Sequence, residues 1–366
     1  MGYKISFTRN TQSGFDQIDF NNLPFGKYFA DHMFIADYAD GQWSDFRIVP
    51  FGDMLMHPAL SALHYGQSIF EGMKAEMDDK GNPLLFRPTR NVHRFNQSAA
   101  RMGMPEVPEE LFMMALEKLL TIDRRFIPKA PDSSLYIRPF LFATDKYVGI
   151  RCAETYRFCI FSCPVGAYYN RPVQVYVHDK YVRAFPGGVG FAKAAGNYGG
   201  VMMPTREIQK QGFDQILWLD GIHHKYLQEI GTMNIFVVID GVVITPGLDQ
   251  GTILEGVTRD SLIKLAEDEG YPVQKRDITI DEVITAHREG KLEDMFGAGT
   301  AAVVSQIGSF HYQGADYELP PVELREVSNK LKKRFVLIKS GKAEDLFGWL
   351  HTVPVDLYEK ELALFS

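Results

Sequence analysis

Strand-like and helix-like segments are interspersed along this chain without the regular alternation of a βαβ fold. Two apolar strand-like segments, SLYIRPFLFAT at 134–144 and YRFCIFSCPV at 156–165, follow helix-like segments at 89–102 and 108–126. Successive strands without an intervening helix form antiparallel pairs, whereas a parallel sheet needs a long crossover. The sequence therefore predicts an α/β protein of the α+β kind.

The length of 366 residues predicts about two domains. The segment GAYYNRP at 166–172 is rich in turn-forming residues and is the candidate linker. We expect a smaller N-terminal domain over residues 1–165 and a larger C-terminal domain over residues 173–366. In the second half, Asp240 and Gly241 separate two apolar runs and predict a hairpin with a type I′ turn.

Charge and cysteine content limit the partners of this chain. The formal net charge is -7 and no basic stripe is present, which argues against binding to nucleic acid. The three cysteines are an odd, low number, typical of the cytoplasm, and we interpret Cys159 and Cys163 as buried free thiols. No segment looks like a membrane span, and the histidines lack the spacing of metal ligands, so no metal site is expected.

Lys193 stands among small residues in GVGFAKAAGNYGG at 188–200. Small residues let the backbone and a ligand approach closely. A lysine in apolar surroundings loses its proton more readily and can attack an aldehyde. The alternative is a surface lysine in a flexible loop. The segment fits neither the Walker nor the Rossmann phosphate pattern, because Lys193 is followed by alanine and a third Rossmann glycine is missing.

Glu229 comes directly before an apolar strand, in QEIGTMNIF at 228–236. A carboxylate that enters an apolar core needs a partner, because burying an unpaired charge is very costly. The protonated ring nitrogen of a pyridinium group would be such a partner. The alternative is a glutamate at a strand edge that faces water.

Backbone groups at the start of a predicted helix could bind an anion. Gly256, Val257 and Thr258 fall at its first turn in LEGVTRDSL, where free N–H groups and the helix dipole attract negative charge. Thr258 adds a hydroxyl, and Arg94 in NVHRF could supply an opposing cation. The alternatives are an ordinary capped helix and a solvated helix arginine.

A second candidate anion site follows two glycines in MFGAGTAAVV, where successive N–H groups around Thr300 and Ala301 could form a nest. The alternative is a glycine-induced bulge in a strand. Taken together, the small-residue lysine loop, the buried acid and the two anion sites are the parts that a phosphorylated aldehyde cofactor with an amino-acid substrate would require.

Eight separated motifs resemble, in order, those of the branched-chain aminotransferases, a family of fold-type IV pyridoxal phosphate enzymes. They are HYGQSIFEGMKA, LFRPTRNVHRF, SLYIRPF, CPVGAYY, KAAGNYGG, EIGTMNIF, GVTRDSL and FGAGTAAV. The match runs from about residue 60 to 305 and is closer to the longer form of the family, shared with eukaryotic members, than to the shorter bacterial form. The resemblance implies two α/β domains with the cofactor in the cleft between them.

The resemblance also implies roles on the cofactor side. Lys193 would hold pyridoxal 5′-phosphate covalently and then shuttle the proton between the substrate α-carbon and the cofactor. Glu229 would keep the pyridine nitrogen protonated, Tyr198 would hydrogen-bond the phenolic oxygen, and Thr232 would contact the ring or lie just behind it. The other implied cofactor-binding residues, mostly at the phosphate, are Arg94, Gly256, Val257, Thr258 and Thr300.

The implied reaction is transfer of amino groups between leucine, isoleucine or valine and 2-oxoglutarate. Tyr65 and the backbone after Thr300 would orient the α-carboxylate, aromatic rings would wall an apolar pocket, and Arg138 would meet the distal carboxylate of glutamate. The implied substrate-binding residues are Tyr65, Phe70, Tyr136, Arg138, Tyr168, Thr300 and Ala301. In the family a neighbouring subunit completes the pocket, so the resemblance implies a homodimer.

Two other functions stay open on the sequence. One is another fold-type IV enzyme, a D-amino-acid aminotransferase or an aminodeoxychorismate lyase, which the paired motifs SLYIRPF and CPVGAYY disfavour. The other is a phosphate-binding module without covalent chemistry. A colourless protein would indicate the second, because a lysine-bound cofactor absorbs visible light.

Overall fold

The computed structural model describes residues 2–166 and 171–362. The strands are β1 (Ser6–Phe7), β2 (His32–Ala39), β3 (Gln42–Pro50), β4 (Ser68–Phe70), β5 (Met73–Met77), β6 (Pro83–Phe86), β7 (Ser134–Ala143), β8 (Tyr156–Val165), β9 (Val173–His178), β10 (Gln215–Leu219), β11 (Leu227–Ile230), β12 (Met233–Ile239), β13 (Val242–Thr245), β14 (Val273–Lys275), β15 (Leu292–Gly299), β16 (Val303–Tyr312), β17 (Ala315–Glu318) and β18 (Leu350–Thr352). The helices are α1 (Ser61–Tyr65), α2 (Pro88–Arg101), α3 (Glu109–Ile122), α4 (Gly196–Gly199), α5 (Met202–Gln209), α6 (Val257–Asp268), α7 (Ile280–Arg288), α8 (Glu326–Lys339) and α9 (Val355–Leu362). Within these two ranges, none of the helices has the length and apolar character that a membrane crossing requires.

The chain forms two compact units. Unit 1 comprises Met1–Tyr168, Lys193–Gly196 and Ile338–Ser366, and unit 2 comprises Tyr169–Ala192 and Asn197–Leu337. The predicted linker at 166–172 lies largely outside the described residues, so the predicted domain bounds stay a prediction. Unit 1 also takes in two segments that follow the predicted linker in the chain. Residues 193–196 pair with β4, and the C-terminal segment adds β18 to the edge of the sheet beside β6.

Unit 1 is built on a mixed sheet in the order β1-β3-β2-β8-β7-β5-β6-β18, with β4 also paired to β7. The predicted strands at 134–144 and 156–165 form its long antiparallel pair, β7 with β8. The second helix-like segment, 108–126, has apolar residues at helical spacing, and α3 buries them at Leu111, Phe112, Ala115, Leu116, Leu119 and Leu120. The hydrophobic core of unit 1 lies between this sheet and helices α2 and α3.

Unit 2 is built on a second sheet, in the order β11-β10-β9-β16-β15-β12-β13-β14. An additional pairing of β11 with β12 closes six of these strands into a ring. Asp240 and Gly241 link β12 to β13 with φ of 48° and 73°, so the predicted type I′ turn is confirmed. The sequence MFGAGTAAVVSQIG at 295–308 predicts one strand-like segment, but in the structure it spans the end of β15 and the start of β16, which pair antiparallel. The two mixed sheets with packed helices confirm the α+β class.

All three cysteines are free, and their burial differs. Cys152 is exposed, whereas Cys159 and Cys163 are buried in β8, as the sequence interpretation expected. Burial raises the pKa of Cys159 to about 12 and that of Cys163 to about 11. Both therefore remain neutral thiols at physiological pH.

Candidate active site

Lys193 lies in a short extended segment that is held by backbone hydrogen bonds on both sides. The N–H of Phe70 donates to the carbonyl oxygen of Lys193 at 3.1 Å, and the N–H of Ala195 donates to that of Ser68 at 2.9 Å. The N–H of Lys193 donates to the hydroxyl oxygen of Ser98 at 2.9 Å. Lys193 is half-buried. The alternative of a surface lysine in a flexible loop is therefore wrong.

The side chains of Lys193 and Arg138 both lie over the ring of Phe70 in cation–π contacts. The Nζ of Lys193 lies 5.0 Å from the ring centroid, and the guanidinium carbon of Arg138 lies 4.6 Å from it. Arg138 also donates from Nη2 to the hydroxyl oxygen of Tyr136 at 3.0 Å. Cation–π contacts of this kind hold a long side chain in one orientation. Unit 1 thus brings together three of the predicted substrate residues and the amine of Lys193.

Gly72 provides the space that Tyr136 occupies. Tyr136 is buried beside Cys163 and Val165. A Cβ at Gly72 would lie 2.3 Å from the Oη of Tyr136, closer than real side chains approach, and 3.1 Å from its Cζ, which is also tight. The conformation of the tyrosine therefore depends on a glycine that the sequence interpretation did not assign to the site.

Substituting Gly72 by alanine is expected to lower the free energy of unfolding by about 1–3 kcal/mol, because the new methyl group overpacks the site. The double variant Gly72→Ala with Tyr136→Phe should recover part of this loss, since the closest clash is with Oη. Denaturant unfolding measures both. Gly52→Ala is the matched control in unit 1, because a Cβ there meets no atom within 4 Å. A loss in Gly72→Ala no larger than in the control would contradict this packing.

Arg94 is paired with a carboxylate that the sequence interpretation missed. Its Nε lies 2.7 Å from Oε1 of Glu71 and its Nη2 lies 2.8 Å from Oε2, which also accepts from Asn91 Nδ2 at 2.9 Å. Burial raises the pKa of Glu71, but the charge and hydrogen bond of Arg94, with a smaller effect of Lys193, bring it below the ordinary value. Arg94 is buried and fixed in orientation, so the alternative of a solvated helix arginine is wrong. The signal in the sequence was an acid inside the apolar motif IFEGM.

Three of the predicted cofactor residues, Tyr198, Glu229 and Thr232, line one cavity of unit 2. Glu229 lies on β11 and is 3% exposed, so the alternative of a water-facing glutamate at a strand edge is wrong. Arg183 and Leu254 belong to the same wall. A buried carboxylate and a phenol that line one cavity are suited to a ring bearing a protonated nitrogen and an oxygen substituent.

The carboxylate of Glu229 contacts Asn234, Leu254 and Arg183. Its Oε1 accepts from Asn234 Nδ2 at 3.2 Å and from the N–H of Leu254 at 3.1 Å. Its Oε2 lies 2.8 Å from Nε of Arg183 in an ion pair. The sequence interpretation missed Arg183 and Asn234. Asn234 had a local signal, since it follows Glu229 across the tight connection between β11 and β12, whereas nothing near Arg183 marked it.

The start of α6 has the form of an anion site. Gly256 is its N-cap residue, with extended backbone and no side-chain cap in the described structure. A Cβ at Gly256 would lie 2.0 Å from Oδ1 of Asn234, so only glycine fits beside that amide. Val257 and Thr258 are buried in the first turn. The uncapped N–H groups of this turn point to the kind of ligand that a helix N-terminus attracts, an anion.

Thr300 and Ala301 lie in the tight loop between β15 and β16, where Gly299 pairs with Val303. The alternative of a bulge in one continuous strand is wrong, because the chain reverses here. Val303 has a φ of 61°, a left-handed conformation that is costly for a β-branched side chain. Strained backbone of this kind concentrates at functional sites, which is consistent with a ligand-binding loop.

The remaining predicted substrate residues are not brought to the Phe70 ring by the described contacts. Tyr65 ends α1, is 43% exposed, and has its described ring contact with His64 at 6.1 Å between centroids. Tyr168 lies outside the described residues. The roles predicted for these tyrosines, and for Thr300 and Ala301, therefore stay predictions.

Comparison with known proteins adds independent information. The model of the family described as Amino-transferase class IV matches residues 68–310. The chain is 44% identical to a probable branched-chain-amino-acid aminotransferase of Staphylococcus epidermidis, over 97% of this chain and 99% of that protein. It is 45% identical to the branched-chain-amino-acid aminotransferase 2 of Bacillus subtilis, over 90% of this chain and 92% of that protein.

Solved structures are similar as well. A branched-chain amino acid aminotransferase from Escherichia coli superposes with a TM-score of 0.70 at 25% identity, covering 89% of this chain and 99% of that one. A branched-chain aminotransferase from Thermoproteus uzoniensis, solved with norvaline, gives a TM-score of 0.71 at 26% identity, covering 88% of this chain and 99% of that one. The predicted fold type is therefore confirmed.

Proposed function

The chain belongs to the class IV aminotransferases, and from this membership we propose how its residues act as a branched-chain aminotransferase. The enzyme uses pyridoxal 5′-phosphate and transfers amino groups between leucine, isoleucine or valine and 2-oxoglutarate, giving branched-chain 2-oxo acids and L-glutamate. The observation that carries the proposal is the ring of Phe70, which lies against both the amine of Lys193 and the guanidinium of Arg138. Phe70 thus lies beside the reactive lysine and also forms part of the candidate substrate pocket.

Lys193 holds the cofactor and moves the proton. Its amine would hold the cofactor through the aldehyde group and, when free, would take and return the proton of the substrate α-carbon. When bound, the cofactor supplies an electron sink that makes this proton acidic. The fixed backbone of Lys193 supports this role, because the freed amine stays within a short reach of its starting place.

Glu229, Tyr198 and Thr232 hold the cofactor ring. Glu229 would accept from the protonated ring nitrogen, Tyr198 would hydrogen-bond the phenolic oxygen, and Thr232 would contact the ring. The proposal is supported by their place on one cavity wall and by the burial of Glu229, which needs a positively charged partner.

A second group holds the phosphate. The proposed ligands are Arg94, Gly256, Val257, Thr258 and Thr300. The uncapped first turn of α6 supplies N–H donors, and Thr258 supplies a hydroxyl. Glu71 keeps two donors of Arg94 in fixed directions, which limits the positions that an anion can take beside it.

Dual specificity follows from an apolar pocket with a cation at its edge. Phe70 and Tyr136, with Tyr168, form the walls for a branched side chain. Arg138 stacks on Phe70 and meets the distal carboxylate when glutamate or 2-oxoglutarate binds. Tyr65 and the backbone of Thr300 and Ala301 orient the α-carboxylate.

A homodimer and a cytoplasmic location complete the proposal. Exposed apolar side chains around α1, Leu55, Met56 and Leu63 among them, favour burial against a second copy. The three free cysteines suit a reducing compartment. Sedimentation equilibrium of the purified protein tests the dimer, and a monomer at all concentrations would exclude it.

The function is tested by a spectrum and a substrate panel. Purified protein loaded with pyridoxal 5′-phosphate should show visible absorbance that changes on addition of L-leucine. Turnover should require 2-oxoglutarate and yield glutamate. A protein that remains colourless would overturn the cofactor assignment. Turnover of D-alanine in the absence of activity on L-leucine would overturn the substrate assignment.

A further inference from the structure

Arg183 is a buried cation that the reaction described above does not use. It precedes Lys193 by ten residues in the chain and lines the same cavity as Glu229. Its side chain is 10% exposed and that of Glu229 is 4% exposed, and the Nε of the arginine lies 2.8 Å from Oε2 of the glutamate. Two opposite charges in contact at this depth interact far more strongly than a surface pair.

The guanidinium is anchored by backbone carbonyl groups. Its Nη2 donates to the carbonyl oxygen of Gly190 at 3.1 Å and to that of Thr252. Gly190 permits this arrangement, because a Cβ there would lie 2.5 Å from the carbonyl oxygen of Thr252 and 2.6 Å from Cβ of Ala184. The Nη2 of the arginine is therefore held by the backbone, while its Nε lies in an ion pair with the carboxylate of Glu229.

The contacts of the Glu229 carboxylate with Arg183, Asn234 and Leu254 favour its ionised form. Arg183 faces Oε2, while Asn234 and the N–H of Leu254 donate to Oε1. Donors and cations stabilise the charged state of a carboxylate relative to its protonated state. When a basic ring nitrogen lies against such a group, one proton is shared between nitrogen and oxygen. The stabilised carboxylate leaves that proton on the nitrogen.

We propose that Arg183 is a positioning residue that keeps Glu229 ionised and so keeps the ring nitrogen of the bound cofactor protonated. The inference rests on the proposed function. A purely structural role, in which Arg183 only ties residues 183–190 to the loop at Thr252, would leave the protonation of the ring nitrogen unchanged.

Nitrogen NMR of protein loaded with pyridoxal 5′-phosphate labelled at the ring nitrogen distinguishes the two roles. The wild-type protein should show the chemical shift of a pyridinium, and Arg183→Met should shift it toward that of a neutral pyridine. The same variant should lower kcat for L-leucine about 10- to 100-fold and change KM by less than about threefold. The reason is that a protonated ring nitrogen stabilises the transition state of proton abstraction more than it stabilises bound substrate. An unchanged pyridinium signal in folded Arg183→Met would overturn the inference.

Arg183→Lys is the second arm, since it keeps the charge without the planar fork. We expect it to retain the pyridinium signal, and a neutral ring nitrogen in folded Arg183→Lys would contradict the inference even if Arg183→Met does not fold. The matched control is Arg171→Met, which removes an exposed arginine paired with Asp214 in the same unit. If the wild-type protein binds no cofactor, the proposed function and this inference fail together. If the wild type is active and folded Arg183→Met keeps the pyridinium signal, as Arg171→Met does, the inference alone fails.

Discussion

Lys193→Ala is expected to abolish the visible absorbance of the bound cofactor and to lower kcat for L-leucine by at least about 10³-fold. In the proposed function the amine has two uses, as the covalent attachment point and as the acid and base at the substrate α-carbon, and acid–base catalysis alone contributes about 10²–10⁴-fold. Folding should be preserved, because the backbone hydrogen bonds of this residue to Phe70 and Ser98 do not depend on its side chain. Stopped-flow absorbance and steady-state kinetics measure the two effects separately.

Lys193→Arg separates charge from chemistry. Arginine keeps a cation over the ring of Phe70, where the Nζ now lies, but its guanidinium remains protonated and cannot attack an aldehyde. It should be as inactive as the alanine variant. Lys210→Ala, which removes an exposed lysine after α5, is the control and should behave like the wild type. Activity of Lys193→Ala within about tenfold of the wild type would exclude this lysine as the acid–base group.

The parts of the fold that were predictable have local signals. The pair of β7 and β8 followed from two apolar runs without an intervening helix, and the turn at Asp240 and Gly241 followed from a dipeptide that favours left-handed backbone. The pair of β15 and β16 was missed because its loop at 300–302 contains Thr-Ala-Ala, without turn-forming residues. The residue after it, Val303, adopts left-handed backbone against its own preference.

The residues that form ion pairs with the site residues were harder to predict than the site residues themselves. Burial of Glu229 followed from its place before an apolar strand, but the contact of Arg183 with it joins residues 46 positions apart. Glu71 and Arg94 meet only because β4 and α2 pack in the same core. Ion pairs of this kind depend on which strands and helices become neighbours, and a single sequence does not encode that in any local pattern.

Glu229→Gln is expected to lower kcat for L-leucine by about 10²–10³-fold, because it removes the charge that we propose stabilises a protonated ring nitrogen at the moment of proton abstraction. The amide has nearly the same shape, so binding of the cofactor through Lys193 should persist, and the visible absorbance should remain. Nitrogen NMR of the labelled cofactor should report a neutral ring nitrogen. Glu207→Gln on the exposed side of α5 is the matched control.

The same substitution also leaves Arg183 buried without its counter-charge, so stability should fall by about 3–5 kcal/mol, as when one member of a buried ion pair is removed. The double variant Glu229→Gln with Arg183→Met removes both charges and should regain much of this stability while kcat stays low. Thermal unfolding and kinetics of the set therefore separate packing from catalysis. If kcat of the double variant recovered together with its stability, the loss in Glu229→Gln would be a folding defect, and the carboxylate would have no part in the proton transfer.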